Sequence, residues 1–116
     1  MSDPNCLFCR IARGEVPADI VHDDDLVLAF KDINPKAPTH LLLIPRRHVD
    51  SAADLAESDA EMLGRMFSVA ANLARETGIA ERGFRLVSNS GPAAGQSVDH
   101  LHFHLLGGRS MAWPPG

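Results

Sequence analysis

The sequence predicts an α+β fold: an antiparallel sheet of about five strands, one long helix and a short N-terminal helix. Three observations predict it. Short β-favouring runs outnumber helical stretches and are joined by turn-sized links. The stretch from Ser58 to Gly78 carries apolar residues at helical spacing. From His100 to Leu106, histidines and apolar residues alternate, which is the period of a strand. At 116 residues the chain is long enough for one core without disulfide staples, so residues 1–116 are expected to form a single domain, with 109–116 as a C-terminal tail.

In chain order, residues 7–13 suit a short helix stopped by Gly14. The runs at 18–22 and 26–30 read as a β-hairpin around the turn cluster Asp23-Asp24-Asp25, with His22 exposed on it. Pro35 and Pro38 make 32–38 a loop, because proline defeats both helix and strand interiors. His40 to Pro45 is a third strand, buried on both faces by its continuous aliphatics, and Arg46-Arg47-His48 is its polar exit. Ser58-Asp59-Ala60-Glu61 has the pattern of a capping box, and Met62, Met66, Val69 and Leu73 fall on one helical stripe, better suited to core than to cofactor contact. Gly78 supplies the stop. Phe84 to Ser88 is a fourth strand, residues 89–97 a Gly-rich loop, and the histidine strand the fifth, ended by Gly107-Gly108.

Composition narrows the function classes. A net charge of −4 argues against a binder of polymeric nucleic acid, which needs a basic face, but leaves a mononucleotide open. The longest apolar run, Leu41 to Ile44, is far too short to span a membrane, and Met1-Ser2-Asp3-Pro4 lacks the start of a signal peptide, so the expected compartment is the cytoplasm. In a reducing compartment Cys6-x-x-Cys9 is metal-binding, redox-active or a pair of free thiols. The redox reading expects a preceding strand, for which five residues leave no room.

On a strand, His100, His102 and His104 share one face and Leu101, Phe103 and Leu105 the other. The row could be a solvated edge, a metal site or a catalytic row. Same-face neighbours lie about 6.5–7 Å apart. Three successive ones cannot easily meet one ion through bonds of about 2.0–2.1 Å unless the strand bends. A neutral imidazole is also a nucleophile at neutral pH. The adjoining loop favours catalysis, since Asn89, Gly91, Gly95 and Ser97 offer the amide and hydroxyl donors that a phosphate needs.

His100-Leu101-His102-Phe103-His104-Leu105-Leu106 resembles the His-x-His-x-His-x-x signature of the histidine triad (HIT) family. Ile33 to His40, Ile44 to His48, Gly95 to Val98, Leu106 to Arg109 and Trp113 to Gly116 are similar to its nucleotide-binding Hint branch. The resemblance implies a homodimer with a continuous antiparallel sheet. It implies His102 as the nucleophile at a nucleotide α-phosphorus, His104 and His40 as phosphate contacts that also hold the nucleophile, and His100 as its backbone orienter. It further implies Asp32 as the acceptor of the ribose hydroxyls, Ile33 as a base wall, and Asn89, Gly95 and Ser97 as phosphate and leaving-group contacts. Trp113 resembles a tail tryptophan that reaches the partner's site. His22 matches nothing functional, and Asp99 stands where the family often carries a larger, less charged residue.

Prokaryotic-type members of the branch carry the Cys-x-x-Cys, and the resemblance implies Cys6, Cys9, His48 and His100 as ligands of a structural zinc, leaving His102 and His104 free. The implied activity is that of a purine nucleoside phosphoramidate hydrolase working through a nucleotidyl-histidine and releasing nucleoside monophosphate, with zinc structural rather than required for chemistry. The alternatives are a dinucleoside polyphosphate hydrolase of the same family, a zinc hydrolase and a non-enzymatic nucleotide-binding regulatory protein.

Overall fold

The computed structural model describes residues 3–116; the reading of Met1 and Ser2 as lacking a signal-peptide start lies outside them. Its elements run α1 (Leu7–Ala12), β1 (Ile20–Asp23), β2 (Val27–Lys31), β3 (Thr39–Pro45), α2 (Ala60–Glu76), β4 (Phe84–Val87) and β5 (Phe103–Gly107). The strands form one five-stranded antiparallel sheet in the order β1-β2-β3-β5-β4. No helix among the described residues is long and apolar enough to cross a membrane.

Register divides the sheet into two unequal faces. Leu41 and Leu43 on β3 pair with Leu105 and Phe103 on β5, and with Lys31 and Ala29 on β2. This face packs against α2, whose Met62, Met66, Val69 and Leu73 are all buried, as the stripe predicts. Cutting one of these fully buried side chains back to alanine costs about 2–5 kcal/mol. On the opposite face, α1 covers only Leu28, Phe30, Leu42 and Ile44. The rest of that face, at β3, β5 and β4, carries His40, His104, Val87 and Arg85.

Helix α2 starts differently from the capping-box expectation. A 3-10 turn over Glu57–Asp59 precedes it, and Ser58 makes no cap bond. Asp59 stands at the helix N-cap without a side-chain cap bond to α2; its carboxylate instead accepts the Ala56 N–H at 2.8 Å, closing the 3-10 turn, and pairs with Arg47. The C-terminus closes as a Schellman motif. Gly78 sits at φ 81°, its N–H reaches Arg75 O at 3.2 Å, and Ile79 N–H reaches Ala74 O at 3.0 Å. Ile79 then packs on Gly107, where a Cβ would fall 2.7 Å from the isoleucine side chain.

Two further differences concern histidines. The fifth strand begins at Phe103, so His100 and His102 precede the ladder rather than standing on it. The cause is tertiary: Leu101 N–H bonds Val49 O at 2.6 Å, and the His100 ring bonds Pro45 O. His22 is half-buried, its Nε2 lying 2.6 Å from an Asp24 carboxylate oxygen.

Asp24 organises the β1–β2 turn. It accepts the Leu26 and Val27 N–H groups at 2.8 Å each and meets Arg65 of α2 at 2.9 Å. Burial alone would raise its pKa, but these donors and His22 outweigh it and hold the carboxyl well below the usual carboxylate range. Because the folded pKa is the lower one, the stabilisation is complete above about pH 4 and is lost as pH falls below that. Asp24→Ala is therefore expected to lose about 1–3 kcal/mol in urea unfolding at pH 7 and to show a smaller stability loss than the parent below pH 4.

Candidate active site and metal centre

His40, at the start of β3, accepts the Lys36 backbone N–H on Nδ1 at 3.0 Å. A neutral ring with an accepting Nδ1 carries its proton on Nε2. That Nε2–H donates to His104 Nδ1 at 2.9 Å, so His104 in turn presents Nε2–H outward. Asp32 lies 3.4 Å from His40 Nε2. The pair is not ionic, because burial lowers the His40 pKa against the pull of Asp32. Burial, then the neighbouring His102 and His40, pushes His104 down to about 4. The two rings form a neutral hydrogen-bonded relay.

His102 is oriented by its neighbour. Its Nδ1–H donates to the His100 carbonyl at 2.7 Å, which makes Nε2 the lone-pair nitrogen of the neutral tautomer. The edge-on ring of Phe8 from α1 supports it at 5.1 Å between centroids, and the His104 ring lies 5.0 Å away. The ring is 3% exposed, so its approach is confined.

An open cleft of about 460 Å³ joins Asp32, His40, Asn89, Ser97 and His104 with Lys36, Val87, Leu106 and Arg109. A second groove of about 190 Å³, walled by Leu7, Phe8, Ile11, Phe30 and Leu42, shares Asp32 with it. Ile33, 92% exposed, lines this second groove. Gly95 is exposed on the loop, in the left-handed region at φ 82°, and borders neither opening. Trp113 is 82% exposed and borders neither. Asp99 is exposed.

Sequence reasoning missed Leu7, Phe8, Ile11 and Phe30 as walls; the apolar spacing of 7, 8 and 11 in the short helix was the available signal. It also missed Gln96, whose Nε2 donates to Asp50 O at 2.7 Å and to Val98 O at 3.0 Å. Its Oε1 accepts the Gly91 N–H at 2.8 Å, fixing the Gly-rich loop.

The cysteines meet two histidines. One ligand atom from each of Cys6, Cys9, His48 and His100 lies within 4.8 Å of the others, and the group can hold a metal ion. Cys6 Sγ is 3.4 Å from His100 Nδ1, and Cys9 Sγ is 3.3 Å from His48 Nδ1 and 3.5 Å from His100 Nδ1. Both rings are anchored through the other nitrogen: His100 Nε2–H donates to Pro45 O at 2.9 Å and His48 Nε2–H to Asp50 at 2.6 Å. Such partners fix the tautomer that leaves Nδ1 free to ligate. Backbone N–H groups of Asp3 and Cys9 point at Cys9 Sγ and Cys6 Sγ at 3.3 and 3.4 Å. Burial pushes the Cys6 thiol up and holds His100 at about 4, an arrangement that suits a cation rather than free charges. Asp32, His40 and His104 also lie within 4.8 Å of one another, but the facing nitrogens of the two rings are bonded to each other.

Residues 13–111 match the HIT domain model. The chain is 50% identical over 105 residues to a purine nucleoside phosphoramidase of Escherichia coli, covering 90% of this chain and 88% of that protein. It superposes on a HIT family hydrolase from Legionella pneumophila with a TM-score of 0.95 and 52% identity, covering 97% of this chain and all of the other. A histidine triad nucleotide-binding protein from Candida albicans matches with a TM-score of 0.82 and 29% identity, over 97% and 85% of the two chains.

The depressed pKa values of His40 and His104 set a stability profile. The unfolded chain takes up protons near pH 6.5 and the folded relay only lower, so stability is complete above about pH 6.5 and falls toward pH 4. Urea midpoints measured across that interval are expected to fall with pH, and His104→Gln is expected to flatten the decline.

Proposed function

The chain belongs to the HIT-domain family, and on that premise we propose that it hydrolyses purine nucleoside 5′-phosphoramidates and related adenylated species through a nucleotidyl-histidine. The observation that carries this reading is the 2.7 Å bond from His102 Nδ1–H to the His100 carbonyl, which turns Nε2 away as the free ring nitrogen, with the ring 5.0 Å from that of His104, a residue lining the cleft.

A nucleotide would span the two openings. The base enters the apolar groove against Phe8, Phe30 and Ile33, the ribose hydroxyls donate to Asp32, and the phosphate meets His104 Nε2–H with Asn89 and Ser97. His102 Nε2 attacks phosphorus in line. An N–P bond to His102 forms as the P–N bond to the leaving amine breaks, and the amine departs with the electron pair and a proton passed through Ser97 or the His104–His40 relay. Water then attacks phosphorus, the His102–P bond breaks, and the nucleoside monophosphate leaves. Donors supplied by neutral rings and amides stabilise the developing charge without a buried cation. The chain acts as a homodimer in this reading, with Trp113 reaching toward the partner's site.

We assign zinc to the four-ligand cluster. Tetrahedral bonds of about 2.3 Å to sulfur and about 2.0–2.1 Å to nitrogen place those atoms about 3.5 Å apart, and the observed separations are 3.3, 3.4 and 3.5 Å. When bound, the ion supplies a cross-link between α1, the exit of β3 and the segment before β5, and no step of the hydrolysis passes through it.

Two experiments test these assignments. Adenosine 5′-phosphoramidate mixed with the protein and quenched in base should yield a nucleotidyl adduct on His102 by mass spectrometry. His102→Ala should lose at least about a thousandfold in kcat/KM while keeping nucleotide affinity. An adduct elsewhere, or turnover undiminished in the variant, rules the mechanism out. Protein purified without added metal should contain close to one zinc per chain. Cys9→Ala should lose the zinc and several degrees of Tm, and chelation should lower Tm in the parent before it lowers turnover. Turnover that fails while Tm holds would instead favour a zinc hydrolase.

A further inference from the structure

Beyond the nucleotide cleft, the open sheet face continues onto β4. His40, Leu106 and Arg85 occupy one rung across β3, β5 and β4, and Leu42, His104 and Val87 the next. Arg85 therefore stands two strands from His40 on the same face, about 9–10 Å away. A pocket of about 230 Å³ opens there between Arg82, Arg85 and Arg109, and Arg109 also lines the histidine cleft, so the two spaces adjoin.

The charges in this pocket are uncompensated. Arg10, Arg13, Arg46, Arg47 and Arg65 each face a carboxylate. Among the described residues, Arg82, Arg85 and Arg109 form no ion pair. Arg85 donates to Ala112 O at 3.0 Å and Arg109 to Lys36 O at 2.8 Å and Ser110 O at 3.1 Å, neutral acceptors that fix the guanidinium groups without neutralising them. Three unpaired guanidinium groups converge in a chain whose net charge is −4. Guanidinium groups hold carboxylate and phosphate oxygens with paired donors.

Direction matters as much as charge. His102 precedes His104 along the chain, and Leu106 with its rung partner Arg85 follows it. A phosphorus held at His104 and attacked in line from His102 expels its leaving group away from His102, toward the arginines. The geometry points to a leaving-group subsite in which Arg82, Arg85 and Arg109 bind an anion carried by the departing amine, so that the preferred substrates are nucleoside phosphoramidates whose amine bears a carboxylate or phosphoryl group. This inference rests on the phosphoramidase reading and narrows its substrate class.

The test compares three adenosine 5′-phosphoramidates, formed with β-alanine, with 2-aminoethylphosphonate and with β-alaninamide, alongside the unsubstituted phosphoramidate. The acidic leaving groups should exceed the amide in kcat/KM by about tenfold or more, the size of one charge-assisted hydrogen bond, and the ratio should shrink as salt is raised. Which of the two acids leads identifies carboxylate or phosphoryl as the cognate anion. In Arg82→Gln and Arg85→Gln the ratio should fall toward one; taken within each variant, it is insensitive to the fraction of folded protein. A wild-type ratio near one with the unsubstituted compound still hydrolysed overturns the subsite and leaves the phosphoramidase reading standing. A ratio unmoved by either variant also overturns it. Turnover of none of the four compounds overturns both.

Discussion

The carbonyl of His100 fixes the ring of His102, and everything that fixes His100 therefore bears on the chemistry proposed for that ring. Its ring is fully buried, with Nε2 tied to Pro45 O and Nδ1 facing two sulfurs. Its successor Leu101 is tied to Val49. These bonds leave the residue no rotamer freedom, so the carbonyl that receives His102 Nδ1–H is held as rigidly as the strand beside it. A hydrogen bond from a ring to a mobile carbonyl would fix the tautomer only part of the time. The same bond to an immobilised carbonyl selects one tautomer and one ring orientation. The group that can hold a metal ion and the proposed nucleophile thus share a residue, each using a different part of it.

The second design choice is to keep the relay neutral. A site for an anionic phosphate could recruit charged histidines, but buried imidazolium groups carry a desolvation cost that grows with each neighbour. Here burial and mutual proximity depress His40 and His104, and Asp32 recovers only part of the shift. The outcome is a chain of oriented dipoles: the Lys36 amide, then His40, then His104, each donating to the next. Positive charge is confined to the rim, at Lys36 and Arg109, where water screens it. Rim charge of this sign attracts anions, while the buried dipoles present oriented N–H donors to whatever enters the cleft.

Much of this was legible in the residues. The α2 stripe, the doubly buried β3, the two prolines that make the 32–38 loop and the alternation into β5 are local patterns, and local physics settles them. The site residues that share a motif were legible through their family likeness, and the structure brings Asp32, His40, Asn89, Ser97 and His104 around one cleft. What stayed hidden depends on distant pairing. The strand start at Phe103 is set by Val49 and Pro45, roughly half the chain away. Ser58 makes no cap bond because a 3-10 turn, tied by Asp59 to the Ala56 N–H, precedes the helix, and Asp59 also meets Arg47 from the exit of β3. Phe8 meets the His102 ring only once α1 is laid across the sheet, and Arg85 joins His104 on one face only through register.

The length of α1 explains why there is a site at all. A helix of six residues spans about 9 Å, whereas five strands spaced about 4.8 Å apart make a sheet about 19 Å wide. Helix α2, at 17 residues, spans about 25 Å and can close the other face. The face under α1 must therefore stay open over β5 and β4, and an open sheet face is costly unless its residues are polar or serve a ligand. His40, His104 and Arg85 stand on it with Val87 and Leu106, and Asn89 and Ser97 border it from the adjoining loop, while the covered end beneath α1 is aliphatic and aromatic. The boundary between those two halves runs through Asp32, the residue common to the polar cleft and the apolar groove. A ligand with one apolar and one anionic end is what such a boundary selects, and lengthening α1 by two turns would bury the boundary and close the cleft.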